Sequence, residues 1–319
     1  MTRLDKEDTV RRLAFVFPGQ GSQKVGMGRD FWDRSPLAKA LFARADAALG
    51  FKISEICFAG PEERLKLTPY TQPALLTVST IAFHLLGLEP GLAAGHSLGE
   101  YSALVAAGSL SFEDALRVVH KRGQYMQEAV PVGVGAMAAI LGVPVAAVES
   151  ALGRVTSGIV QIANWNSDDQ IVIAGHKPAV EEAIALIPGA RSVMLPVSAP
   201  FHSSLMKDAE DRLSRDLDSV PFRDPRFPII TNVEAKVIHS GEEARDSLKR
   251  QVSRPVLWQS SMQAFNREGV DTVVELGPGK VLVGLLKRIS RQWTAPPRLL
   301  NVEDEESLRK CREALSGPA

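Results

Sequence analysis

Two rhythms of apolar residues run through this chain. Short unbroken runs, Leu13 to Phe17 (LAFVF), Leu92 to Ala94 and Thr272 to Leu276, each stop at a glycine-bearing loop. Runs this short predict buried strands of a parallel sheet, with the loops at their carboxyl ends. Ile229 to Val233 predicts another strand, and Leu299 to Val302 a final edge strand. Between them lie segments with a helical period. Ser35 and Pro36 supply an N-cap and first helical position, and Gly50 ends that helix. Further helices are expected from Pro73, over Tyr101–Ala107, up to about Gln251, from Pro255, and from the Gly277-Pro278-Gly279-Lys280 loop through Leu286.

The middle of the chain has a different rhythm. Strands are expected at Gly135–Leu141, Val160–Ala163, Ile171–Ala174 and Ser192–Val197, and helices at Pro144–Leu152 and Lys177–Leu186. That order is β-α-β-β-α-β, ferredoxin-like. The fold class is therefore α/β, with a core domain of residues 1–131 and 199–319 interrupted by a subdomain of residues 132–198 and a cleft between them.

One helix carries an anomaly. Ser111 and Asp114 resemble a capping box, and the helix runs to about Ala129. At 100° per residue, Ala115, Leu116, Val118, Val119, Gly123, Met126 and Ala129 share one face. Arg122 falls in the middle of that face. A buried guanidinium is costly unless paired. An internal ion pair, a snorkelling stem and a fork for a substrate carboxylate all satisfy that requirement.

Composition narrows the functions. The 319 residues are 45% hydrophobic, with 37 Lys plus Arg balanced by 37 Asp plus Glu, so no charge excess favours nucleic acid or an anionic membrane. Cys57 and Cys311 lack metal-ligand spacing, and a structural disulfide is not expected, so a reducing cytoplasm is the default. Met1–Arg12 lacks the apolar stretch of a signal peptide. The uncharged stretch Thr71–Leu88 contains too many polar residues for a membrane span and predicts a buried helix. A monomer is expected, because no exposed apolar element stands out.

Chemistry concentrates at Gly95-His96-Ser97-Leu98-Gly99, which fits G-x-S-x-G between a strand and a helix. This is the elbow that lifts a nucleophilic serine out of a sheet, its glycines needed where side chains would strike the neighbouring strand and helix. Six histidines compete as general base. His202 sits where the chain re-enters the core domain, at the cleft mouth; His84 reads as core, His120 and His176 as solvated, His239 as loop, and His96 points away from Ser97.

Together these residues resemble the malonyl-CoA:acyl carrier protein transacylases of fatty-acid synthesis and the acyltransferase domains of polyketide synthases. The motifs stand in order: FPGQGSQ at 17–23, GHSLGEYSALVAAG at 95–108, RGQYMQ at 122–127, GAMAAILG at 135–142, NSDDQIVIAG at 166–175, APFH at 199–202 and ELGPGKVL at 275–282. The resemblance implies an α/β-hydrolase-like core with a ferredoxin-like insert. It implies Ser97 as acyl-accepting nucleophile, His202 as base, the main-chain carbonyl of Gln251 as the group orienting the histidine, the N–H groups of Gln20 and Leu98 as oxyanion hole, and Arg122 as ligand of the malonate carboxylate. Malonyl-CoA and an acidic acyl carrier protein follow as partners, with no metal and no cofactor. Lys280, Lys287, Arg288 and Arg291 are candidates for docking the carrier. Phe201 before the histidine and Leu98 after the serine resemble malonyl rather than methylmalonyl selectors, and Asp168 and Asp169 depart from the pattern at the cleft rim. A serine esterase or thioesterase would use the same elbow, but it would be expected to place an acid before the histidine.

Overall fold

In the computed structural model, which describes residues 12–197 and 199–316, the described residues form ten strands. They are β1 (Leu13–Phe17), β2 (Leu92–Gly95), β3 (Gly135–Leu141), β4 (Val160–Ser167), β5 (Gln170–His176), β6 (Arg191–Met194), β7 (Ile229–Ile230), β8 (Val237–Ile238), β9 (Thr272–Leu276) and β10 (Arg298–Val302). Six of them make one sheet in the order β10-β9-β1-β2-β7-β8, parallel except for the β7–β8 pair. β1 and β2 are buried at every position, as apolar runs covered by helices on both faces must be. The result is a mixed α/β architecture around a mainly parallel sheet. The register pairs Ala94 with Ile230, so residues just beyond β2 and just beyond β7 lie side by side at the carboxyl ends of the strands. Loops there build sites in open α/β sheets.

The other four strands form a separate antiparallel sheet, β4-β5-β3-β6, backed by helices Val145–Leu152 and Lys177–Ala185. Alternation along β3 divides its side chains. Ala136, Ala138 and Ile140 join a small core with Val148, Val180 and Ala183, while Met137 faces the large core. Edge strand β4 is sutured to the chain beyond Gln251: Trp165 N–H donates to Val256 O and Val256 N–H to Ala163 O, both at 2.9 Å.

Several expectations need correction. The long helix begins at Thr68 and runs to Leu86, with Pro73 inside it rather than at its start. Pro73 cannot donate to the carbonyl four residues back, that of Pro69; instead the His120 ring donates Nδ1–H to it at 2.7 Å. His120 is accordingly half-buried against Phe51 and Tyr70 and is not a solvated side chain. His84 is exposed, not core, because it faces outward near the helix end beside Phe83. Strand β7 stops at Ile230, since Asn232 turns away to serve the elbow. The helix expected from Pro255 starts at Trp258, the intervening residues being drawn into the bridge to β4.

Candidate active site

The elbow is built by close packing. A Cβ on Gly95 would lie 1.9 Å from the carbonyl carbon of Gly99, and one on Gly99 would lie 2.0 Å from Phe17 O, so the turn from β2 into helix Leu98–Ala106 closes only with glycine at both positions. Ser97 between them takes φ 51° and ψ −108°, a conformation that costs of order 1–3 kcal/mol and persists only where its surroundings enforce it. The enforcing group is Asn232, whose Oδ1 accepts the Ser97 N–H at 2.7 Å and whose Nδ2 donates to Gly95 O at 2.6 Å.

His202 also has positive φ, 59°, and is buried. Its Nδ1 faces two carbonyl oxygens, Gln251 O at 2.9 Å and Arg254 O at 3.2 Å. Both can only accept, so Nδ1 carries the proton. Nε2 is left bare and accepts from Ser97 Oγ at 2.8 Å. Burial, and then the charge of Arg122, pull the His202 pKa down to about 3, which keeps the ring neutral.

Arg122 is 1% exposed. Its Nη1 donates to Gln72 Oε1 at 2.8 Å, and its Nη2 to Gln251 Oε1 at 3.0 Å and to Ser97 Oγ at 3.2 Å. Tyr101 packs under it, 5.5 Å from guanidinium carbon to ring centroid. Each of these direct partners is neutral; the charge of the buried Glu100 carboxyl reaches the guanidinium from behind Gln251. Gly123 makes the arrangement possible: a Cβ there would meet Pro69 at 2.7 Å, so the Arg122 helix and the Gln72 helix touch backbone to backbone.

A cavity of about 110 Å³ opens onto this group, lined by Ser97, His202 and Arg122 together with Gln20 and Leu98. Its apolar wall comes from Met126, Met137, Leu195, Val197 and Phe201, so the two sheets contribute to one cleft. Gln20 leans on Thr68 Oγ1 at 3.4 Å. Five of the six residues singled out in the sequence thus line one space, and the sixth, Gln251, stands behind it, bonded to His202 and Arg122. His96 also lines the cavity but does not bond Ser97 Oγ, its Nε2 being bound to Asn166 Oδ1 at 2.8 Å. Asp168 and Asp169 sit at the β4–β5 turn, tied to Gln259 Nε2 and Ser167 Oγ.

Sequence reasoning missed Gln72, Asn232, Ser247 and Glu100. Gln72 was visible as an amide inside an apolar helix and Glu100 as an acid directly after the elbow, but neither carries its partner in its neighbourhood. Glu100 is wholly buried and accepts from Asn232 N–H at 3.0 Å, Gln251 Nε2 at 2.8 Å and Ser247 Oγ at 3.2 Å. Burial pushes its pKa up to about 7 against those hydrogen bonds.

Residues 14–312 match the acyl transferase domain family. The malonyl CoA-acyl carrier protein transacylase of Escherichia coli strain K12 is 47% identical over 294 residues, 90% of this chain and 95% of the relative. That of Bacillus subtilis strain 168 is 45% identical over 314 residues, 96% of this chain and 98% of the relative. Among solved structures, the transacylase of the same name from Coxiella burnetii superposes with a TM-score of 0.92 at 41% identity, covering 96% of this chain and 98% of that one. A malonyl-transacylase solved in complex with its type II PKS acyl-carrier protein gives 0.91 at 42% identity, covering 95% and 99%.

Proposed function

The chain belongs to the acyl transferase family, and on that premise we propose that it moves malonyl groups from malonyl-CoA to the phosphopantetheine thiol of acyl carrier protein, through an ester on Ser97. The observation that carries the choice of acyl group is Arg122, a buried guanidinium held by neutral groups only and facing the cavity. The buried Glu100 carboxylate acts on it only from behind Gln251, so no anion touches the guanidinium directly, and the free carboxylate of a malonyl group supplies one in fork geometry. An acetyl group leaves it unpaired.

Ser97 Oγ attacks the thioester carbonyl while His202 Nε2 takes its proton. The Gln251 and Arg254 carbonyls hold the ring and take the place of a triad acid. The oxyanion falls to the N–H groups of Leu98 and Gln20, each donor of this kind being worth about 3–4 kcal/mol in the transition state. His202 returns its proton to the departing CoA sulfur. The carrier's thiol then enters, His202 deprotonates it as its sulfur attacks the ester carbonyl, and the proton returns from His202 to the departing Ser97 Oγ as the malonyl group passes to the thiol. The malonate carboxylate on Arg122 offsets the charge that depresses His202, so substrate raises the basicity of the group about to act. In architectural terms we read the six-stranded unit as an α/β-hydrolase-like core and residues 132–198 as a ferredoxin-like subdomain, supported by strand order and by the small apolar core that the four-stranded sheet makes with its own helices. The two buried free thiols support a cytoplasmic setting.

Intact-mass spectrometry tests the reading. Incubation with malonyl-CoA and no acceptor adds one malonyl group, Ser97→Ala abolishes the adduct, and carrier protein clears it. Free malonate accumulating with no adduct would mark a hydrolase instead.

A further inference from the structure

We propose that Glu100 is a positioning residue, which through the side-chain amide of Gln251 aims Arg122 at the acyl carboxylate. The inference rests on the reading of Arg122 as malonate ligand. Above its pKa of about 7 Glu100 is an ionised carboxylate, which only accepts hydrogen bonds. Glu100 Oε2 therefore draws the Gln251 Nε2 group toward itself at 2.8 Å, and the same nitrogen donates to Ser97 O at 3.0 Å. Gln251 Oε1 is left facing the opposite way, where it accepts from Arg122 Nη2. Turning the amide over would set its oxygen against the Glu100 carboxylate and the Ser97 carbonyl, and its NH₂ against a guanidinium. Every contact would then be repulsive, so the polarity of this one amide is fixed from below by Glu100.

The carboxylate is itself anchored. Asn232 N–H and the Ser247 hydroxyl meet it, and its Cα belongs to the first turn of the elbow helix. Nothing exposed takes part, since Glu100, Asn232 and Gln251 all have 0% exposure. The backbone carbonyl of Gln251 orients His202 and its side chain orients Arg122, so one residue serves the base and the selector by separate atoms. Glu100 acts on the second through Nε2; it also holds Asn232, which sets the Ser97 turn, and a loss by that route falls on both acyl groups alike and cancels in their ratio.

The test measures rates of Ser97 acylation by malonyl-CoA and acetyl-CoA at pH 8, as a ratio, with folding checked by thermal melts. Glu100→Ala is expected to lower the malonyl:acetyl ratio about tenfold, the scale of one misdirected hydrogen bond to a charged group. Glu100→Gln, whose carbonyl still accepts from Gln251, should stay within about twofold of the parent ratio. Gln251→Met keeps the backbone carbonyl and should lower the ratio as Glu100→Ala does; adding Glu100→Ala to it should change the ratio no further. A merely structural role would slow both acyl groups together and leave the ratio unchanged, which overturns the proposal. So would a Gln variant no better than Ala, an undiminished effect of Glu100→Ala in the Gln251→Met background, or a parent-like ratio in Gln251→Met should Glu100→Ala fail to fold. Arg122→Ala is run alongside. If that variant keeps the parent ratio, the reading of Arg122 has failed; if it loses the ratio while Glu100→Ala keeps it, only the positioning role has failed.

Discussion

Arg122 and His202 constrain each other across one serine oxygen. The guanidinium donates to Ser97 Oγ while the imidazole accepts from it, so the proposed nucleophile lies between a cation and the proposed base. Removing the cation should have two readable effects. Arg122→Ala should slow malonyl loading and narrow the preference over acetyl by about 100-fold, the scale of a buried charged partner lost; parent-like acylation ratios would contradict it. It should also move the acid limb of kcat/KM. A base with depressed pKa stays neutral as pH falls, so with His202 near 3 the parent enzyme should load malonyl well below pH 6.5. Arg122→Ala removes one of the two main causes of that depression and should carry the limb upward. A parent limb at the ordinary histidine value would contradict the assignment of His202 as an isolated, buried base.

Packing between elements sets these distances. The helix Thr68–Leu86 reaches Arg122 with Gln72 because Gly123 allows backbone contact and because His120 replaces the donor that Pro73 lacks. His120→Ala strands the Pro69 carbonyl and should lower stability by about 1–3 kcal/mol with the acyl preference retained, read by denaturant unfolding. Gly123→Ala should do the reverse. It parts the helices at Pro69, moves Gln72 away from Arg122 and should weaken malonyl loading beyond its effect on stability; equal losses for acetyl and malonyl would argue against this route. At this scale the sequence was most legible where a feature repeats locally. The helical wheel isolated Arg122, G-x-S-x-G isolated Ser97, and Ser35 with Gly50 bounded their helix as read. Gln72, Glu100 and Asn232 were not legible, because each matters only through a partner 50 or more positions away. Pro73 misled because the donor that makes it tolerable comes from another helix.

For the whole molecule, the two sheets share one cleft, and helix Val281–Ile289 packs beside β4 at their junction. Lys287, Arg288 and Arg291 are exposed there, Arg288 reaching Gln170 Oε1 at 3.0 Å, while Lys280 is drawn to Glu303 at 3.8 Å. We propose this face for docking of the acidic carrier. Charge reversal at Lys287 and Arg288 should raise KM for carrier protein about tenfold and leave Ser97 acylation by malonyl-CoA as it was, since surface charges steer encounter and not chemistry. An unchanged KM would move the docking site elsewhere. The order of elements was legible across both sheets except for β8, whose two residues are too short for an apolar run; the bridge from Trp165 to Val256 was not legible either, because no pattern marks a single pair of main-chain bonds.

The pairing of β2 with β7 has a consequence in time. Ser97 receives its N–H partner from a residue 135 positions later, and the amide that holds its carbonyl from one 154 positions later. At about 5–20 residues per second, a ribosome needs roughly 8–30 s to travel from the serine to that glutamine. Throughout that interval the nascent chain carries its nucleophile without the residues that hold it in the strained turn. Reactivity therefore arrives late in synthesis, when the cleft that protects an acyl ester is complete.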